Sequence, residues 1–143
     1  MASGLGIAFC GNSVRATSVV LDADVCQPAD VEKCLQRLSV AGTPAPGKSV
    51  GLMFACVGRG RYFYDGAVGV ESTVFKRLYP RVPLFGFFGN GEIGYDCPLA
   101  SNSRCFSFTD GTLTAGASHG DGTVVPKIYH SYSSIFVLLS FLS

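Results

Sequence analysis

The chain has little charge, no tryptophan and no long apolar run, and each shortage excludes something. Only 15% of its 143 residues are Asp, Glu, Lys or Arg, against ~25% in an ordinary globular domain. The 11 basic and 10 acidic residues nearly cancel, to +1. That removes the bulk positive field on which sequence-independent nucleic-acid binding rests. No apolar run nears the ~20 residues that cross a bilayer as a helix; the longest, Ile135 to Leu139 with Phe141 and Leu142, is far shorter. The N-terminal stretch lacks a basic n-region and is broken by Gly4, Gly6 and Gly11, so no signal peptide is expected. None of the three asparagines begins a glycosylation sequon, and no two cysteines have C-x-x-C spacing. An even count leaves pairing open for Cys10, Cys26, Cys34, Cys56, Cys97 and Cys105, but free thiols in a reducing compartment are the better reading. With scattered cysteines and only His119 and His130, neither a zinc site nor any cofactor is expected.

What is present is apolar residues, at 48%, a mean hydropathy of +0.34, and 18 glycines. Such a chain buries enough surface to offset its ordering entropy, which excludes disorder, and its length is that of one domain. Alternation at Leu5, Ile7, Phe9 and then Val14, Ala16, Ser18, Val20 predicts a hairpin turning at Gly11-Asn12. Pro28 to Ala41 reads as a helix, with Pro28 at its start, a stripe of Val31, Cys34, Leu35 and Leu38, and Gly42 and Pro44 as stops. Val50 to Val57 and Leu84 to Phe88 are uninterrupted apolar runs, expected as strands buried on both faces. Between them, Val70 to Tyr79 reads as a short helix ending before Pro80. Residues 96–127 are expected to be irregular and inserted, with a strand near Cys105-Phe106-Ser107-Phe108; Tyr132 to Leu142 reads as a closing strand. The order implies an α/β or α+β fold, a mixed sheet of buried strands with packing helices, over residues 1–143.

Two glycine motifs fit letter patterns but not contexts. Gly42-Thr43-Pro44-Ala45-Pro46-Gly47-Lys48-Ser49 satisfies the P-loop spelling, yet a helix precedes it and a strand follows, the reverse of what a phosphate cradle needs. Gly89-Asn90-Gly91-Glu92-Ile93-Gly94 satisfies G-x-G-x-x-G, but no amphipathic helix opens after it. A strand-to-strand turn is the expected role.

Read whole, Leu84-Phe85-Gly86-Phe87-Phe88-Gly89-Asn90-Gly91-Glu92-Ile93-Gly94 resembles the signature of the FIST C-terminal domain family. Gly51 to Gly60 is similar to that family's buried strand and following loop; Val70-Glu71 with Phe75, Pro80 and Val82-Pro83 matches its intervening helix. His130-Ser131-Tyr132 resembles its last block, and Ala8-Phe9-Cys10 with Ser18 to Leu38 fits more loosely. The resemblance implies a non-enzymatic domain of an F-box protein, presenting protein substrates to an SCF-type ubiquitin ligase in cytoplasm and nucleus. Skp1 and cullin contacts would run through an F-box that these residues do not contain. Bacterial members look like sensors of small, amino-acid-like ligands, which is the alternative. On this reading the domain is half of a larger receptor, and part of its apolar surplus faces the other half.

The candidate recognition surface comprises the loops Cys56 to Asp65 and Gly89 to Asp96, with Cys56, Arg59, Arg61, Tyr62, Asn90 and Glu92 as site residues. Cys56 ends a strand beside two arginines that could activate a thiol, although an inert buried cysteine is the plainer reading. Arg59, Arg61, Lys76, Arg77 and Arg81 fall in one 23-residue stretch containing only Asp65 and Glu71 as acids, which suits an acidic partner or a solvated helix face. Tyr62, Phe63 and Tyr64 could anchor an interface or a core. Asn90 and Glu92 could ring a ligand or serve only the turn. His130 has no positioned nucleophile and makes no catalytic set.

Overall fold

A computed structural model describes residues 6–40, 42–96, 106–109, 112–115 and 127–142. Its main sheet has four strands: β1 (Val14–Leu21), β2 (Ser49–Cys56), β3 (Leu84–Gly89) and β8 (Ser134–Phe141), in the order β1-β8-β2-β3. β8 runs antiparallel to both β1 and β2, while β2 and β3 are parallel. Helix α1 (Pro28–Gln36), continued by a 3-10 turn at Arg37–Ser39, joins β1 to β2; α2 (Val70–Leu78) makes the β2-to-β3 crossover. β4 (Glu92–Ile93) pairs with β7 (Tyr129–His130), and β5 (Phe106–Thr109) with β6 (Thr112–Ala115). The expected strand near Cys105 to Phe108 corresponds to β5; Cys105 and most of residues 96–127 lie outside the described residues. The fold is α+β, a mixed four-stranded sheet with two packing helices.

The helices start and stop where sequence chemistry places them. Pro28 occupies the first turn of α1, where its missing N–H costs no bond, and Asp30 sits near the positive end of the helix dipole. Val31 and Leu35 are fully buried, and α1 and α2 pack against the same sheet face. The core there comprises Val19, Leu21, Leu38, Val74, Phe75, Phe136 and Leu138. Phe75 and Phe136 stack with centroids 5.8 Å apart, and Gly51 is needed because a Cβ would sit on the Phe75 ring. The P-loop spelling is a helix-to-strand connection, in which the Ser49 hydroxyl bonds Ala45 O at 3.0 Å and Ser140 Oγ at 2.8 Å.

Two expectations are corrected. Residues 6–10 form no strand, and Ile7 and Phe9 are exposed; Leu5 is not among the described residues. β1 takes β8 as its antiparallel partner, from Val14 opposite Phe141 to Leu21 opposite Ser134. On its other side, the Ser18 hydroxyl donates to Tyr95 O and the Val20 N–H to Asp96 Oδ1, so the place of a hairpin partner is filled. The second correction concerns burial. β3 is the edge of the sheet, and Phe85, Phe87 and Phe88 are 62%, 64% and 54% exposed. β2 is covered only on its helix side, leaving Leu52 and Phe54 half-buried, with Phe54 and Phe87 edge to face at 5.4 Å. Among the described residues, no strand lies beyond β3.

A candidate recognition surface at the strand ends

Because β2 and β3 are parallel, their C-terminal ends lie side by side and release their loops in one direction. β2 passes through a 3-10 turn, Val57–Arg59, into residues 60–69. β3 turns at Gly91, whose φ of +90° suits glycine, into β4. β4 pairs Glu92 with His130 and Ile93 with Tyr129, bringing in the connection from β7 to β8. Three distant segments therefore meet at one end of the sheet.

Arg59 ties the loop after β2 to the β7–β8 connection, and both to the β1-to-α1 connection, from inside. It is 2% exposed, and all five guanidinium N–H groups are used. Nε donates to Glu71 Oε1 at 2.7 Å, Nη1 to Asp22 O at 2.9 Å and Tyr132 O at 3.1 Å, and Nη2 to Val25 O and Tyr64 Oη, both at 2.8 Å. Its carbon lies 4.4 Å from the centroid of Phe63, a cation–π contact. The Tyr64 hydroxyl donates in turn to Glu71 Oε1 at 2.6 Å. Tyr132 adopts φ +54°, its carbonyl accepts from Arg59, and its ring lies where a Cβ on Gly58 would clash. No donor of Arg59 is left for the Cys56 thiol or for a partner.

Glu92 is also interior, at 4% exposure. Its Oε2 accepts from the Ser133 hydroxyl at 2.9 Å and the Ser133 N–H at 3.3 Å. Its Oε1 is buried without a hydrogen-bond partner. The His130 ring lies 3.2 Å from Gly94 O through Nε2 and 3.6 Å from Asp22 Oδ1 through Nδ1. Cys56 is buried, and its N–H donates to Ser133 O.

Around this interior set lies an exposed one. Arg61, Tyr62 and Asn90 are on the surface, Tyr62 at 94%. Val57 and Ile93 of the two expected loops, with Tyr129 and Tyr132, which were not among the expected site residues, are exposed at the same end. The pairing of Ile93 with Tyr129, in two short strands thirty-six positions apart, was the signal that local reading could not supply. The basic stretch divides. Arg59 is interior, Arg77 bonds Glu32 of α1 at 2.7 Å, and Arg61, Lys76 and Arg81 are exposed. A cavity of about 420 Å³ opens beside this end, between residues 59–72 and β3. Glu71 lies in its wall, and Glu71 Oε2 is buried without a partner.

The interior phenols make stability sensitive to alkali. Burial, then the Glu71 carboxylate, push Tyr64 well above the usual tyrosine range, with Arg59 opposing. Burial likewise raises Tyr79, whose hydroxyl donates to Leu35 O. Both phenols stay neutral in the folded state above the pH at which unfolded tyrosines ionise. Their contribution is therefore complete below about pH 10 and lost above it. Urea midpoints should fall steeply beyond about pH 10 relative to pH 7; a midpoint unchanged at higher pH would contradict this burial.

The FIST C domain family matches residues 6–95. The chain belongs to that family. It is 37% identical over 142 residues to F-box only protein 22 of Homo sapiens, a match covering 96% of the chain and 31% of that protein, and equally to its counterpart in Pongo abelii. It is also 38% identical over 101 residues to an uncharacterized protein of Mycobacterium bovis, Mb0898c, covering 68% of the chain and 25% of that protein. The FIST C chain thus spans about a third of the F-box relatives' length.

Proposed function

We propose that this FIST C domain is a non-catalytic recognition module that presents protein substrates to an SCF-type ubiquitin ligase, for ubiquitin-dependent degradation in cytoplasm and nucleus. Skp1 and cullin would be reached through an F-box outside these 143 residues, as the likeness to an F-box protein suggests. The observation that carries the reading is the exposed set Arg61, Tyr62, Ile93, Tyr129 and Tyr132, held by the interior Arg59 hub. Tyrosine and arginine dominate protein hot spots because each offers a large contact area with a polar tip. A rigid support lowers the ordering cost of binding. Asn90 borders this surface, while Cys56 and Glu92 support it from within.

The test fuses the chain to an F-box and measures which proteins it captures and marks with ubiquitin, alongside the Arg61→Ala/Tyr62→Ala variant. Two hot-spot losses should weaken capture by about 30-fold or more, at roughly 1–2 kcal/mol each. Both side chains are exposed, so the far-UV spectrum should not change. Equal capture and ubiquitination by the two proteins would refute the surface.

One observation favours a second reading, a small-molecule sensor. The cavity beside β3 is mostly apolar, but Glu71 Oε2 in its wall is buried and unpaired, which suits a ligand with an ammonium head and an apolar body. Thermal shift against an amino-acid library would show a specific rise in Tm if so.

A further inference from the structure

We infer that β3 is a self-association edge, along which two copies of this chain pair antiparallel about a two-fold axis at Phe87. The sheet has two edges, and they are treated differently. β1 carries Arg15 within the strand, and Tyr95 and Asp96 occupy the Ser18 hydroxyl and the Val20 N–H. Charge and cover are the usual means of guarding an edge. Among the described residues β3 has neither: no charged residue lies between Val82 and Gly91, and three phenylalanines stand exposed along it.

Main-chain geometry narrows the register to a few, and side-chain fit selects among them. The Gly51 N–H donates to Pro83 O at 2.8 Å. In a parallel ladder this turns the main-chain groups of Phe85 and Phe87 toward β2 and leaves those of Gly86 and Phe88 on the open side. A second β3 centred on Phe87 sets Gly86 opposite Phe88 of the second copy, and Phe85 opposite Gly89. The residues able to exchange hydrogen bonds are then opposite each other, and each glycine lies beneath a phenylalanine. Centring on Gly86 instead would leave two glycines facing, with a gap on the helix side.

The seam brings no like charges together, so nothing electrostatic opposes the pair. The three phenylalanines leave roughly 350 Å² open on each copy, so pairing covers about 700 Å² of the ~1,600 Å² typical of a stable interface. The dimer is therefore reversible, populated at high concentration and dissociated on dilution.

Sedimentation of the intact chain should show a concentration-dependent monomer–dimer equilibrium. Phe87→Lys should be monomeric throughout, with an unchanged far-UV spectrum, because Phe87 is 64% exposed. Register is tested by oxidation after Cys10, Cys26, Cys97 and Cys105 are replaced by serine. In the non-hydrogen-bonded Phe87 pair the Cα atoms would lie about 4.5 Å apart, within disulfide reach. Phe87→Cys should cross-link, whereas Phe85→Cys and the cysteine-replaced parent should not. A chain monomeric at every concentration would assign the edge to a different polypeptide and overturn the inference. So would a dimer surviving Phe87→Lys, or equal cross-linking at both positions.

Discussion

Arg59→Ala should destabilise the domain by about 3–5 kcal/mol, the cost of removing one member of a buried ion pair. Folded domains hold only ~5–15 kcal/mol in reserve, so much of the variant should be unfolded near body temperature. The loss has two parts. Glu71 would lose its ion-pair partner in an interior where its side chain is 4% exposed, with only the Tyr64 hydroxyl left to Oε1. The carbonyls of Asp22 and Val25 in the β1-to-α1 connection, and of Tyr132 before β8, would lose donors. Arg59→Lys should rescue little, because an ammonium cannot reproduce five donors in a planar fork. Arg59→Met/Glu71→Leu should be less damaging than Arg59→Ala alone, since it leaves no orphaned charge. Urea unfolding followed by circular dichroism would measure all four proteins, and an Arg59→Ala cost below about 1 kcal/mol would sink the hub.

Gly86→Ala is expected to have the next largest effect, above the ~1–3 kcal/mol usual for overpacking. A Cβ at Gly86 would collide with the Met53 carbonyl oxygen, carbon and nitrogen. Those are main-chain atoms of a central strand and cannot rotate away as a side chain can. Relief requires β3 to move off β2, opening the pairs from Gly51–Leu84 to Cys56–Gly89. Hydrogen exchange should show faster amide exchange in β3 than in the intact chain, while β1 stays protected by β8. Gly91→Ala is the control: its φ is +90° but open space surrounds it, so it should cost only about 1 kcal/mol. A Gly86→Ala chain as stable as that control would show that β3 accommodates a side chain.

The elements legible in the sequence were those with local punctuation. Pro28, Gly42 and Pro80 bracket the helices, and the spacing of Val31, Leu35 and Leu38 fixes which face α1 buries. Burial of the strands was less legible. Leu84 to Phe88 has the composition of a central strand, and nothing local distinguishes that from an edge awaiting a partner. The alternation at Ile7 and Phe9 resembles a strand because period-two patterning does not reveal that Tyr95 and Asp96 take the neighbouring position. At the site, the loops were placed by the glycines, but a residue's direction depended on partners far along the chain. Arg59 meets Glu71 twelve residues on and Tyr132 seventy-three residues on. Such contacts carry no periodic signature, so an arginine bracketed by glycines reads as solvated. Tyr129 and Tyr132 were hidden for a related reason, since only the pairing of β7 with β4 brings them to the surface.

The strand order also has a consequence in time. β1 and β2 do not touch as ladder partners; each pairs with β8, which is made from residues 134–141 and lies between them. Until those residues emerge during synthesis, both earlier strands present unpaired hydrogen-bonding edges, and the helices have half a sheet to pack on. Closing it joins residues 79 to 127 positions apart, the kind of non-local pairing that slows folding. The nascent chain therefore keeps apolar strand edges uncovered until β8 is made, and exposed edges of that kind favour aggregation of a partly folded chain.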